Sequence, residues 1–322
     1  MARTEEKAKQ TLILLQQNNS VKNVIEQLCS DENEWHRVSS KAYALHLKKA
    51  RKQLKEDEKK SHVICTSNDE IKDIIKLNSY MADFALSFPT IATMTDYKRV
   101  QILLEDMPNN ETTLLALVEE ITMNPRIRAL QKKGRFEHFQ PFIEFVDFIE
   151  AATLCYFRGN YISSYLTLVP IAEGIILRWL GYSGQGKKPD FETIRKFFSN
   201  SHTRQPCPSN PLFHEVYTKV CDKIFNEHLY KPSEQGQAYA NFNRHLAAHL
   251  LDSSQFTTKE NCIRLFLLID TMTELYYYET YCSDPRFYLT EEHILQEFQI
   301  YKQLLTEQVM LNTPEKKLLK SL

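Results

Sequence analysis

The stretch Asn241-Phe242-Asn243-Arg244-His245-Leu246-Ala247-Ala248-His249-Leu250 crowds one arginine, two histidines and two asparagines onto a run that reads as buried helix. It lies a short way before the most hydrophobic segment of the chain. Elsewhere the charged residues spread along faces that read as solvated. Whether this stretch is helical, and what its cations face, decides the reading of the whole chain.

The composition around it favours helix. Glycine is rare, at 7 residues, while Leu, Glu, Lys and Gln are common. Period-two alternation closed by turn pairs is hard to find, so the expected class is all-α. With 322 residues and 43% hydrophobic content, one large domain or two ordinary ones can bury a substantial core. A formal net charge of -1 gives no global case for nucleic-acid or membrane binding; any such contact must come from a local patch. The 7 cysteines include no C-x-x-C pair, which suggests reduced thiols and a cytoplasmic setting. The first residues are charged and carry no signal-peptide core, and the apolar run Phe266-Leu267-Leu268-Ile269 is too short to span a membrane.

Working outward, apolar spacing predicts a helix over 4–29, with a possible break at Asn18-Asn19-Ser20. A second follows over 32–60, opened by the capping pair Asp31 and Glu34. Its second half, with Lys48, Lys49, Arg51, Lys52, Lys55, Lys59 and Lys60, reads as a solvated face laced with i,i+4 ion pairs; a ridge touching RNA phosphates is the alternative. Capping boxes at Ser67–Glu70 and Thr257–Glu260 open further helices. Turns are expected at Pro108-Asn109-Asn110, at Lys231-Pro232-Ser233 and at Asp252-Ser253-Ser254. A basic cluster, Arg126, Arg128, Lys132, Lys133 and Arg135, surrounds Gly134, the best candidate boundary. That divides the chain into an N-terminal helical region over 1–134, a central domain over 135–284, and a C-terminal helix and tail over 285–322. The centre holds an expected long aromatic helix from 139 to 159. A hydrophobic helix over 162–180 carries Pro170 and, among isoleucines, Glu173. A carboxylate there needs a partner or a polar opening. The loop 181–189 concentrates three glycines but lacks phosphate-loop spacing.

Three chemistries compete for the opening stretch. His245 and His249 stand i,i+4, a zinc-ligand spacing, but Leu246 occupies the place of a metalloprotease glutamate and no third ligand is at hand. A structural reading asks for an acid beside Arg244, since an unpaired buried arginine costs several kcal/mol; Glu173 could serve. Ala247 and Ala248 would let a second helix approach closely. The third reading is acid–base work on RNA. A histidine exchanges protons near neutral pH, and an arginine stabilises charge building on a phosphate. Arg244 and His249 sit about 140° apart around a helix, so two facing copies would combine them on one phosphate more easily than one copy.

The segment Arg244-His245-Leu246-Ala247-Ala248-His249 resembles the R-x4-6-H motif of the HEPN superfamily. Leu168-Val169-Pro170-Ile171-Ala172-Glu173-Gly174-Ile175 looks like the helix that precedes this motif in bacterial members. The Leu-rich helix opened by Thr257-Thr258-Lys259-Glu260-Asn261 looks like the one that follows. The resemblance covers roughly residues 140–283. It implies a HEPN-like helical bundle that dimerises, with both copies' motifs in one composite site. It also implies a metal-independent endoribonuclease of the toxin–antitoxin or anti-phage kind, acting on RNA under the control of an antitoxin or sensor protein. No metal or cofactor is implied. By position Arg244 would hold the scissile phosphate and His249 would be the acid–base residue, with His245, Asn243 and Glu173 supporting them. Some family members are inactive and only bind RNA or dimerise.

Overall fold

The structure is a computed structural model that describes residues 2–60, 62, 66–106, 110–232, 239–250, 256–280, 282–311 and 313–319. The expected turns at Pro108-Asn109 and at Ser233, and the stop at Asp252-Ser253-Ser254, lie outside them. The protein is all-α: 75% of it is helical, and the described residues include no strand. None of the described helices is long and apolar enough to cross a membrane. The six described cysteines form no disulfide.

The chain packs as two compact units. The first comprises Met1–Ser79, Lys196–Asp222 and Leu275–Cys282. Its opening helix is broken where the sequence allowed a break. Asn18 takes a left-handed φ of 65°, and Ser20 caps the next helix by accepting from the Asn23 N–H, so Ala2–Gln16 and Val21–Leu28 are separate. Asp31 caps Glu32–Asp57 by accepting from the Glu34 N–H at 2.7 Å, while the Glu34 carboxylate accepts from the Ser30 N–H. Val24, Trp35 and Val38 form the core between these helices, with Leu14, Leu15, Val21, Ile25 and Leu28 around it. A buried polar network runs from Tyr43 to His214 Nδ1 (2.8 Å), from His214 Nε2 to Glu279 (3.1 Å) and on to Arg204 (2.9 Å).

The second unit comprises Tyr80–Arg195, Lys223–Glu274 and Ser283–Leu322. The expected long aromatic helix is interrupted: Gln140–Ile143 and Val146–Phe157 are separate, divided at Glu144-Phe145. Gly159, at φ 81°, and the N-cap Asn160 turn the chain into Tyr161–Trp179, which packs on Val146–Phe157. Lys259–Thr280 opens as expected, but Thr258 rather than Thr257 supplies the cap, accepting from the Asn261 N–H at 3.2 Å. Within this unit its residues from Asn261 to Glu274 are all buried, so that part of the helix forms the axis of the unit's core.

The basic cluster around Gly134 is split: Arg128 and Arg135 are buried, Lys132 and Lys133 are half-buried, and Arg126 is exposed. It forms Pro125–Gln131 and a π-helical turn, Lys132–Phe136, inside this unit. Arg128 pairs with Asp270 in the core, and Arg135, fully buried, reaches Glu274 at 2.7 Å and Asp284 at 3.1 Å. Lys132 and Lys133 share Glu297, and Arg126 pairs with Glu291. Each of these cations is matched by an acid; Glu137 and Glu150 are near in sequence, but the other partners are distant ones that spacing could not reveal.

Candidate functional site

The helix of the opening stretch is shorter than its pattern suggests. Only Arg244–His249 is α-helical. Ahead of it, Ala240 and Asn241 take left-handed φ angles of 49° and 54°, a turn held by the Asn261 side chain donating to the Ala240 carbonyl at 2.9 Å. Phe242 is fully buried against Tyr165. Asn243 is the strut. Its side-chain oxygen accepts from the His245 and Leu246 N–H groups, and its amide donates to the Lys231 carbonyl at 2.9 Å. This N-cap satisfies donors that a helix start leaves orphaned. At the other end Leu250 ends the helix at φ 50°, a conformation that costs a non-glycine residue about 1–2 kcal/mol.

Six residues make fewer than two turns, so the helix presents two neighbouring faces. One carries Arg244, Ala247 and Ala248 and looks onto Tyr161–Trp179. Between them lies a cleft of about 370 Å³, floored by Leu166, Val169, Pro170 and Leu177 and edged by Glu173 and Gly174. The small side chains of Ala247 and Ala248 line this approach, as the sequence suggested. Pro170 stands well inside its helix, and its missing N–H leaves the carbonyl of Leu166 without the helical donor beside the cleft. A Cβ on Gly174 would come within 2.6 Å of the Phe145 ring, so glycine there lets that ring close over the helix.

Glu173 is the acid that Arg244 needs. Arg244 Nε lies 2.7 Å from Glu173 Oε2, and the arginine keeps 37% of its side-chain exposure. Glu173 also accepts from the Tyr230 hydroxyl at 3.2 Å and pairs with Lys188 at 3.3 Å. The Tyr230 ring lies 5.5 Å from the Arg244 guanidinium. Burial, with Glu173 beside it, pushes the Tyr230 phenol far up, so it stays a protonated donor. Sequence reading passed over both additions. Tyr230 stands 57 residues from Glu173, and Lys188 belongs to the glycine-rich connector, so no spacing joins them.

The other face carries the histidines. The His245 and His249 rings meet edge to face, 4.6 Å between centroids, with His249 exposed and His245 half-buried. Neither lines the cleft. One copy of the chain thus brings Arg244 to Glu173 and His245 to His249, and keeps the two pairs on adjoining faces. Among the described residues no group of three His, Cys, Asp or Glu side chains is gathered to hold a metal ion. No protein-family model matches the chain, and neither does any curated protein or solved structure.

Proposed function

We propose that this chain is a HEPN-like endoribonuclease. In this reading it acts as a dimer, without a metal, as a cytoplasmic toxin or abortive-infection effector held in check by an antitoxin or sensor partner. The observation that supports the reading is the Arg244–Glu173 pair at the mouth of an open cleft. It is a cation steadied on one edge and still partly exposed, on the same short helix as the exposed His249 and the half-buried His245. Arg244 would hold the scissile phosphate. His249 would take the proton of the ribose 2′-OH as that oxygen bonds to phosphorus. The bond to the 5′-oxygen breaks, and the leaving oxygen takes a proton from a second imidazole or from water. The products are a 2′,3′-cyclic phosphate and a 5′-hydroxyl. Because Arg244 and His249 occupy different faces, a second copy would complete the set.

Purified protein is expected to cut RNA in the presence of EDTA, to leave DNA intact for want of a 2′-OH, and to lose cutting in His249→Ala with an unchanged melting temperature. Parent and His249→Ala equally inert on tRNA, rRNA and mRNA pools would move the assignment to a second reading, a catalytically inactive RNA-binding or dimerisation module. That reading has one observation in its favour: His249 stands outside the cleft that Arg244 lines.

A further inference from the structure

The helix Glu32–Asp57 of the first unit has a charge pattern unlike the rest of the chain. From Trp35 to Lys55 it carries Arg37, Lys41, Lys48, Lys49, Arg51, Lys52 and Lys55, and no aspartate or glutamate. This stands in a protein whose formal net charge is -1. At about 100° per residue, all of these except Lys49 fall within roughly 100° of arc, on a line about 27 Å long from Arg37 to Lys55. All seven are exposed. Arg51 pairs with Glu215 at 2.6 Å and Lys52 with Glu56 at 3.6 Å. Arg37, Lys41, Lys48, Lys49 and Lys55 have no ion pair among the described residues. Among the described residues the i,i+4 neutralisation that the sequence suggested is thus confined, within this helix, to Lys52–Glu56 in its last two turns.

The stripe opens onto a hollow of about 540 Å³, lined by His36, Arg37, Ser40, Lys41 and Ala44 with Thr4 and Glu5 opposite. The acid there is already engaged, since Glu5 pairs with Lys9 at 3.2 Å. Its carboxyl is held below the usual range by Lys9 first, then by Lys41 and Lys48, so the field of the stripe reaches across the hollow.

We propose that this stripe is a nucleic-acid docking surface, which tracks the phosphodiester backbone of an RNA strand through Arg37, Lys41, Lys48 and Lys55. The observations separate it from a membrane-binding helix. An interfacial helix needs an exposed apolar face to insert, whereas no large apolar residue of this helix is exposed; Trp35, Val38 and Leu47 are buried. A linear array of unpaired cations over several helical turns suits a polyanion with evenly spaced charges, and phosphates are neutralised without regard to base or sugar. The surface shares its RNA target with the proposed function but not its residues. It gives the chain a hold on substrate apart from the cleft.

The test is equilibrium binding of a fluorescent single-stranded 20-mer, as RNA and as DNA, to full-length His249→Ala protein across a potassium chloride series. The comparison protein adds Arg37→Gln, Lys41→Gln, Lys48→Gln and Lys55→Gln. The four substitutions are expected to weaken binding about tenfold or more at low salt. They should also reduce the slope of log K against log salt by about 3, at ~0.7 per phosphate contact, for RNA and DNA alike. Lys48→Gln alone should lower the slope by ~0.7, which keeps the test meaningful if the quadruple variant folds poorly. An unchanged slope and affinity would overturn the proposal. So would equal competition by poly-glutamate at matched charge, which would indicate a protein partner, or stripe-dependent capture by phosphatidylserine vesicles stronger than capture by RNA. In the His249-intact protein, cleavage at saturating RNA should survive the four substitutions. An absence of cleavage in the parent would sink the nuclease reading and leave the binding result standing.

Discussion

Arg135 and Arg244 belong to the same unit and meet an acid at the same distance, 2.7 Å, yet they do different work. Arg135 has no exposure at all and is gripped by Glu274 and Asp284, with Arg286 sharing both acids. Its charge is spent on the fold. Among the described residues Arg244 has one acid on one edge, a tyrosine ring beside it and 37% of its side chain open above a cleft. An ion pair alone therefore does not mark a site. What separates the two is whether any of the cation is left over. Removing one member of a buried pair strands the other charge in low dielectric, whereas an exposed pair is worth little to stability.

The sharpest contrast comes from activity. His249→Ala should reduce RNA cleavage by about 10²–10⁴-fold, the usual contribution of an acid–base residue, with no change in melting temperature. Arg135→Ala should do the reverse. It should cost about 3–5 kcal/mol of stability in denaturant titration, because the buried Glu274 and Asp284 lose their fully buried cation and are left sharing the half-buried Arg286. Arg244→Ala should cost less than about 1 kcal/mol in the same titration while lowering the cleavage rate ~10²–10³-fold. If Arg244→Ala unfolded the protein as readily as Arg135→Ala, the two arginines would be structural alike. Glu173→Gln weakens the grip on Arg244 without removing the arginine, so a smaller rate loss, about tenfold, is expected in the same assay.

The smallest effect concerns the first unit and pH. Burial, the nearby His36 ring and Arg204 depress the His202 imidazole from 6.5 to about 4. A group whose folded pKa is lowered binds its proton more readily when unfolded. Its contribution is therefore fully present above pH 6.5 and is lost as pH falls toward 4. The melting temperature of His202→Gln should decline less than that of the parent across that window. Parallel declines would show that the ring does not carry the acid sensitivity.

The same contrast explains what the sequence made legible. Helical class followed from scarce glycine and from apolar spacing, both local properties. The break at Asn18-Asn19-Ser20 and the caps at Asp31 and Ser67 were legible for the same reason: the capping partner lies three residues away. The pairing of Glu173 with Arg244 could be anticipated because a carboxylate among isoleucines demands a cation. The fate of the 126–135 cluster could not, since most of its partners lie more than a hundred residues on, in Asp270, Glu274, Asp284 and Glu297. Spacing likewise overstated the helix of the opening stretch. Alanine and leucine keep helical rhythm through 250, but left-handed backbone at Ala240, Asn241 and Leu250 trims it to six residues. Within those six residues the helical step of about 100° per residue puts the histidines and the arginine on separate faces.

The central claim is that Arg244 and His249 act on RNA and not on the fold. It is tested most directly by sequencing cellular RNA ends after brief expression, with adaptors that capture 2′,3′-cyclic phosphates, in cells making the parent or Arg244→Ala at equal levels. New cyclic-phosphate ends at defined positions with the parent, absent with Arg244→Ala, are expected. Identical end profiles from the two proteins, both folded and equally abundant, would contradict it.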